Sequence, residues 1–177
     1  MFRLWSLLVV FLLCVTSSCA IKVVDVDIIC KNTNRSFCSN LLNSKPGASR
    51  DLVSLTQYTI DVLRANATNT VNLLNRLIEQ SRGNFNLTYH YNVCLLHFDN
   101  KQGALRIVEI AEELFKMGNY LAMIPEIDSI DFNAWECLSG DTPSDPIYKD
   151  TSLLPNYAND VMLVAKISHS ILTYLTA

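Results

Sequence analysis

Residues 60–78 read IDVLRANATNTVNLLNRLI, and their apolar side chains recur with the period of an α-helix. Ile60, Leu63, Ala67, Val71, Leu74 and Ile78 are spaced at steps of three and four, which places them on one stripe of a helix surface. The signals on either side bound this helix. Ser44-Lys-Pro-Gly47 is a break, Ser49 is a good N-cap, and Arg82-Gly83-Asn84 offers a glycine for the left-handed position after the last turn. The first long helix, A, is therefore read as 49–81. Helix B is read as a single element over 86–117, with Leu87, Tyr91, Cys94, Phe98, Leu105, Val108 and Phe115 on one face. Gly103 is a weak point inside it, costing about 1 kcal/mol against alanine, and Gly118-Asn119 closes it. Helix C is read as 119–138, its stripe carried by Tyr120, Ile124, Ile127, Ala134 and Cys137; Pro125 predicts a kink or a late start. A loop with three prolines, 139–156, leads to helix D, 156–176, with Ala158, Val161, Ala165, Ile171 and Leu175 buried. Four amphipathic segments joined by short breaks predict an all-α, up-down-up-down four-helix bundle. The composition agrees: half of the 177 residues are hydrophobic, and only five are Gly and five Pro, so the chain can bury a substantial core in long helices.

The first twenty residues read differently. Arg3 is followed by LWSLLVVFLLCV, residues 4–15, then by a polar stretch with small Ser18 and Ala20. This is the layout of a secretory leader cleaved after Ala20. The apolar run is short of the roughly 20 residues that a spanning helix needs. Residues 21–177 are thus expected to be secreted, extracellular and free of the membrane.

Cys14 and Cys19 leave with the leader, and Cys30, Cys38, Cys94 and Cys137 remain. Four cysteines in a secreted chain predict two disulfides, for which three pairings exist. Position favours one of them. Residues 25–45 read as a hairpin of two short helices, Asp25–Cys30 and Phe37–Leu42, which a Cys30–Cys38 bridge would staple. Residues 21–47 are accordingly read as an N-terminal extension on a bundle formed by 48–177. Cys94 and Cys137 fall on helices B and C, antiparallel neighbours. Cys94 lies 24 residues before Gly118 and Cys137 lies 19 after it. Counted as unbroken helix, the two miss each other by about 7 Å, which helix ends and the irregularity at Pro125 would have to absorb.

Arg3 is the one charged side chain in 1–20, so the formal charge of −3 becomes −4 for residues 21–177. A mildly acidic domain has no electrostatic footprint for nucleic acid and would repel a polyanion. No catalytic motif emerges: the chain has no H-E-x-x-H, G-x-S-x-G, P-loop or Gly-rich dinucleotide turn, and no cofactor is expected. Of His90, His97 and His169, only His97 has a possible metal partner one turn away, Cys94, and an oxidised Cys94 is the better reading. The carboxylates of helix C, Glu126, Asp128, Asp131 and Glu136, read as a solvated face that could meet a protein partner together with Tyr148 of the proline-rich loop. Trp135 reads first as core packing, with an interface anchor as the alternative. Asn34, Asn66 and Asn86 begin N-x-S/T tripeptides, acceptors for N-glycosylation in a secreted chain.

Taken together, Cys30-Lys-Asn-Thr33 with Phe37-Cys38, Ala48-Ser-Arg-Asp-Leu52 opening the first long helix, Cys94, Gly118-Asn-Tyr120 at the B–C turn, and Cys137 resemble the plant invertase and pectin methylesterase inhibitor family. The resemblance spans about 25–176. It implies the same two disulfides, first with second and third with fourth. It also implies a monomeric, glycosylated, non-enzymatic protein of the apoplast or cell wall. Such a protein would inhibit a plant pectin methylesterase stoichiometrically and without a covalent step, by covering the active-site cleft. The Gln57-Tyr-Thr-Ile-Asp61 stretch resembles the pectin methylesterase inhibitors. The alternative partner is acid invertase, whose inhibitors dock a Pro-Lys-Phe motif that this chain lacks; here the loop reads Asp145-Pro-Ile-Tyr-Lys149. A secreted helical-bundle binding protein with no enzyme target is a further alternative. Protein collected from the medium of secreting cells is expected to start at Ile21 and to carry no free thiol. Terminal sequencing that finds Met1 would refute the leader assignment.

Overall fold

The computed structural model of the protein describes residues 23–47, 49–140 and 149–177. The expected leader, 1–20, lies outside them. The described residues form seven α-helices, α1 (Val26–Ile29), α2 (Arg35–Asn43), α3 (Leu52–Gln80), α4 (Phe85–Phe98), α5 (Ala104–Lys116), α6 (Tyr120–Ser139) and α7 (Leu154–Thr176), with a 3-10 turn at Cys30–Asn32. The all-α four-helix bundle predicted above is the observed fold. α3, the α4–α5 pair, α6 and α7 are its four columns, and α7 packs against both α3 and α6. Ile60, Leu63, Ala67, Leu74, Ile127, Ala134, Val161 and Ala165 meet in its core, each essentially inaccessible to solvent.

The start of α3 is set by Asp51 rather than Ser49. The Asp51 carboxylate accepts from the backbone N–H of Ser54 at 2.8 Å, and the Ser49 hydroxyl donates to its other oxygen. Those two hydrogen bonds, Ser49's the stronger, hold the Asp51 carboxyl below its usual range. Ser49 therefore supports the cap instead of being it. Helix D likewise starts two residues earlier than expected, at Leu154. Pro155 fits its first turn, where a missing N–H costs nothing.

Helix B is not one helix. The chain leaves helical geometry after Phe98 and re-enters it at Ala104. One Asp99 carboxylate oxygen accepts the backbone N–H groups of Lys101, Gln102 and Gly103 at 2.9, 3.0 and 3.2 Å. Burial works against the Asp99 charge, but these bonds outweigh it and hold its carboxyl below the usual range. Gly103 is not a tolerated flaw within a helix; it is the residue that lets the chain fold back. A Cβ there would lie 2.6 Å from backbone atoms of Leu96, His97 and Asp99. Seven residues of unbroken helix would advance about 10 Å, whereas Gly103 returns to touch Leu96. This fold-back, and not Pro125, removes the excess length between Cys94 and the B–C turn.

Both disulfides form as expected, Cys30–Cys38 and Cys94–Cys137, with Cα atoms 5.6 and 4.5 Å apart. The B–C turn at Gly118 is a paired closure: Gly118 N–H donates to Phe115 and Asn119 N–H to Leu114, both at 2.9 Å, with Gly118 at φ +69°. Asn119 then caps α6 through Ala122 N–H, so Pro125 does not delay the helix. It sits inside α6 with Leu121, whose carbonyl it cannot bond, and both residues are exposed, leaving that carbonyl within reach of water.

The hairpin of α1 and α2 docks on the end of α7. Ile29 and Leu42 pack with Leu52, Leu55, Ile167 and Ile171, and the Ser170 hydroxyl donates to the carbonyl of Ile29 at 2.8 Å. The Arg50 guanidinium donates to the carbonyls of Leu42 and Asn43, placing positive charge at the C-terminus of α2. At the other approach to α7, the buried Asp150 carboxylate accepts from Ser152 N–H at 2.7 Å and from the Tyr91 hydroxyl at 3.3 Å, with His90 Nε2 at 3.7 Å. Burial pushes the His90 imidazole below its ordinary value, with Asp150 only partly opposing it.

Two outcomes follow. Gly103→Ala is expected to lower stability by about 1–3 kcal/mol, the range for forcing an extra methyl into a packed site. An unchanged thermal midpoint would contradict the close approach at 96–103. A histidine held below its ordinary value of about 6.5 takes up its proton more readily in the unfolded chain, so its stabilising contribution is full above that value and is lost as pH falls below it. The thermal midpoint is expected to fall between about pH 7 and about pH 5 and to fall less in His90→Gln; an identical pH slope in the two proteins would refute it.

Candidate docking face

The helix expected to meet a partner, α6, turns Leu121, Pro125, Asp128, Phe132 and Trp135 to solvent. Steps of four, three, four and three put these five on one stripe about 21 Å long. Leu121 is 70% exposed, Phe132 55% and Trp135 48%. Trp135 is thus not in the core as expected. Its ring stacks on Phe132, centroids 5.8 Å apart and planes inclined by 26°. Helical phase explains this: Ala134 and Cys137 face the core, and Trp135 lies about 100° around the helix from the first and about 160° from the second.

The carboxylates proposed as a face do not share one. Asp128 stands on the outer stripe, with an oxygen 2.6 Å from Nδ1 of His169. Asp131 turns toward α7, an oxygen 3.7 Å from Nζ of Lys166; that separation is an ion-pair contact rather than a hydrogen bond. Burial raises the Asp131 carboxyl above its ordinary value, and Lys166 only partly offsets it. These four residues line an open groove of about 390 Å³ between the α6–α7 seam and the hairpin residues Asn32 and Thr33. Glu136 lies on the opposite flank, 3.5 Å from Nδ1 of His97, whose ring also meets Asn133 Oδ1 at 3.3 Å. Glu126, seven residues before Asn133, shares that side of the helix and is half-buried. Tyr148 lies outside the described residues.

The face is therefore an apolar and aromatic ridge with two acid–base contacts, Asp128–His169 and Asp131–Lys166, beside it on one side and the carboxylates of Glu126 and Glu136 on the other. An aromatic centre with a charged rim has the make-up of a protein-binding patch. Among the described residues, no three His, Cys, Asp or Glu side chains form a metal-binding group, and no helix is long and apolar enough to cross a membrane. The sequence marked the charges of this face and, of its ridge, only Trp135, as an alternative to core packing. The signal was present in Leu121, Phe132 and Trp135, which fall out of phase with the buried stripe.

The three N-x-S/T asparagines are also placed. Asn34 is exposed and caps α2 through Phe37 N–H. Asn66 is half-buried on α3, beside Tyr157 and Asp160. Asn86 is exposed in the first turn of α4.

No protein-family model and no curated protein matches the chain. Solved structures do. A mutant form, form A, of a pectin methylesterase inhibitor from Arabidopsis superposes with a TM-score of 0.69 and 25% identity, over 84% of this chain and 97% of that one. A pectin methylesterase inhibitor from Arabidopsis thaliana superposes with a TM-score of 0.61 and 23% identity, over 89% and 97%. Both are described as pectin methylesterase inhibitors. The resemblance found in the cysteine framework and the Gly118-Asn-Tyr120 turn extends to three dimensions, and the chain is a pectin methylesterase inhibitor-like helical bundle.

Proposed function

We propose that the protein is a secreted inhibitor of a plant cell-wall pectin methylesterase, acting as a monomer that covers the enzyme's cleft one-to-one and without a covalent step. The observation that carries this reading is the likeness, over nearly the whole length of both chains, to a protein described as a pectin methylesterase inhibitor. The chemistry of α6 supports it. A stable complex buries on the order of 800 Å² on each partner, and Leu121, Phe132 and Trp135 offer exposed apolar surface along one stripe of α6. Trp135 and Phe132 are rigid anchors that lose little conformational freedom on binding. A net charge of −4 over residues 21–177 argues that the protein engages the enzyme and not its acidic polymer. Two disulfides suit an oxidising extracellular setting.

The oxidised protein, residues 21–177, is to be titrated against a plant pectin methylesterase and, separately, an acid invertase at about pH 5 and about pH 7, which brackets the range where histidine titrates. Activity of the esterase is expected to fall to a plateau near one equivalent, with the invertase unaffected. Trp135→Ala is expected to weaken inhibition at least about tenfold, the scale of a buried aromatic anchor, without moving the thermal midpoint. Inhibition of the invertase alone would replace the esterase as the target, and inhibition of neither enzyme would overturn the proposal.

A further inference from the structure

Where α3 turns into α4, at the far end of α4 from the fold-back at Gly103, residues 82–86 are all exposed. Phe85 is 81% exposed and Tyr89 63%. Their rings lie one helical turn apart and stack, with centroids at 6.3 Å and planes inclined by only 18°. Among the described residues, no element of the fold covers this pair. Nor is it part of the α6 ridge: α4 is joined to α6 through Cys94, on the side of α4 turned away from Phe85 and Tyr89. Asn86 stands beside the pair, adjacent to Phe85 in sequence and three residues before Tyr89, a spacing that makes side chains neighbours on a helix. Asn86-Leu87-Thr88 is an N-glycosylation acceptor.

We infer that Asn86 carries an N-linked glycan whose first sugars lie against the Phe85 and Tyr89 rings. In the modification, the side-chain nitrogen of Asn86 bonds to the anomeric carbon of a lipid diphosphate-linked oligosaccharide. The bond from that carbon to the diphosphate breaks, the lipid diphosphate leaves with the electron pair, and the amide gives up one proton. The tether decides the occupant, because a sugar joined to Asn86 starts within one turn of both rings. Its apolar C–H face complements an aromatic face, while its hydroxyls keep the outer surface wet. The other two acceptors lack this arrangement. The Asn34 side chain is fixed as a helix cap and has no exposed aromatic neighbour in its turn. Asn66 is half-buried in the groove with Tyr157 and Asp160. The inference rests on the secretory route read from residues 1–20, and is independent of which enzyme the protein inhibits.

The test uses the full chain with its leader, expressed in a plant or insect secretory host. Glycopeptide mass spectrometry is expected to find Asn86 occupied, and Asn86→Gln to remove one glycan from the mass profile. In the NMR spectrum, the N-acetyl methyl resonance of the Asn86-linked sugar is expected upfield of its free position, shifted by the ring current, and to return to that position in Phe85→Ser/Tyr89→Ser. Both rings are exposed, so this variant should keep the wild-type thermal midpoint. Asn86→Gln, measured against the esterase, should inhibit as the wild type does. An empty Asn86 beside an occupied Asn34 or Asn66 overturns the inference, as does an occupied Asn86 whose methyl resonance is unmoved by the aromatic substitutions. A chain retained in the cell with residues 1–20 intact overturns it together with the secretory reading, while leaving the enzyme titration to be judged by itself.

Discussion

The link between Cys94 and Cys137 decides at what height α4 and α6 meet, and much of the bundle follows from that height. An antiparallel pair of helices can slide by a turn at little cost if only apolar stripes hold it. A covalent bond forbids the slide and, by closing a long loop, removes freedom from the unfolded chain worth about 3–4 kcal/mol. Across unbroken helices the two cysteines would be about 7 Å out of register for the bond. The segment between α4 and α5 makes it possible by returning Gly103 to the backbone of Leu96. One aspartate, Asp99, supplies the acceptor that the turning N–H groups need. A residue that reads as a helix flaw is thus the hinge that sets register.

The same register positions the outer face. With Cys137 and Ala134 held inward, Trp135 and Phe132 are carried to solvent, and Glu136 is brought beside His97. The second flank is set from α7, which places Lys166 and His169 against Asp131 and Asp128. On one shoulder the Lys166–Asp131 ion pair is therefore partly self-neutralised. Exposed pairs of this kind contribute little to stability, about 0–1 kcal/mol each. In a complex of the kind proposed, they would contribute orientation and the selection of a partner by charge. The aromatic ridge between them is where desolvation can supply binding energy.

The hairpin belongs to the same mechanical unit. Its helices are too short to persist alone, and the Cys30–Cys38 bond staples them while Ile29 and Leu42 bury against α7 and the start of α3. Because α7 also backs the α6 face, the groove beside Asp128 is bounded by hairpin residues as well as by the bundle.

Periodicity, cysteine count and the Gly118-Asn119 turn are local properties, and they carried most of the fold: four columns, a stapled hairpin, the two pairings and nearly every helix end. The candidate site was less legible, because its defining feature is what remains exposed after packing. Acidic residues on helix C could be found by type. Whether Glu126, Asp128, Asp131 and Glu136 shared a face depended on which side of α6 met α4, α5 and α7, and they turned out to be divided among several sides. Trp135 has the composition of a core residue and is outside the core because its phase on the helix is set by neighbours that are buried. Gly103 could not be assigned from its own surroundings either, since its role comes from backbone atoms of Leu96, His97 and Asp99 that only the folded chain brings against it. The sequence by itself determined the period, the crosslinks and the turns, which depend on residues a few positions apart. The tertiary structure alone decided the break at 99–103 and the aromatic ridge, because both depend on which surfaces the packed helices leave uncovered.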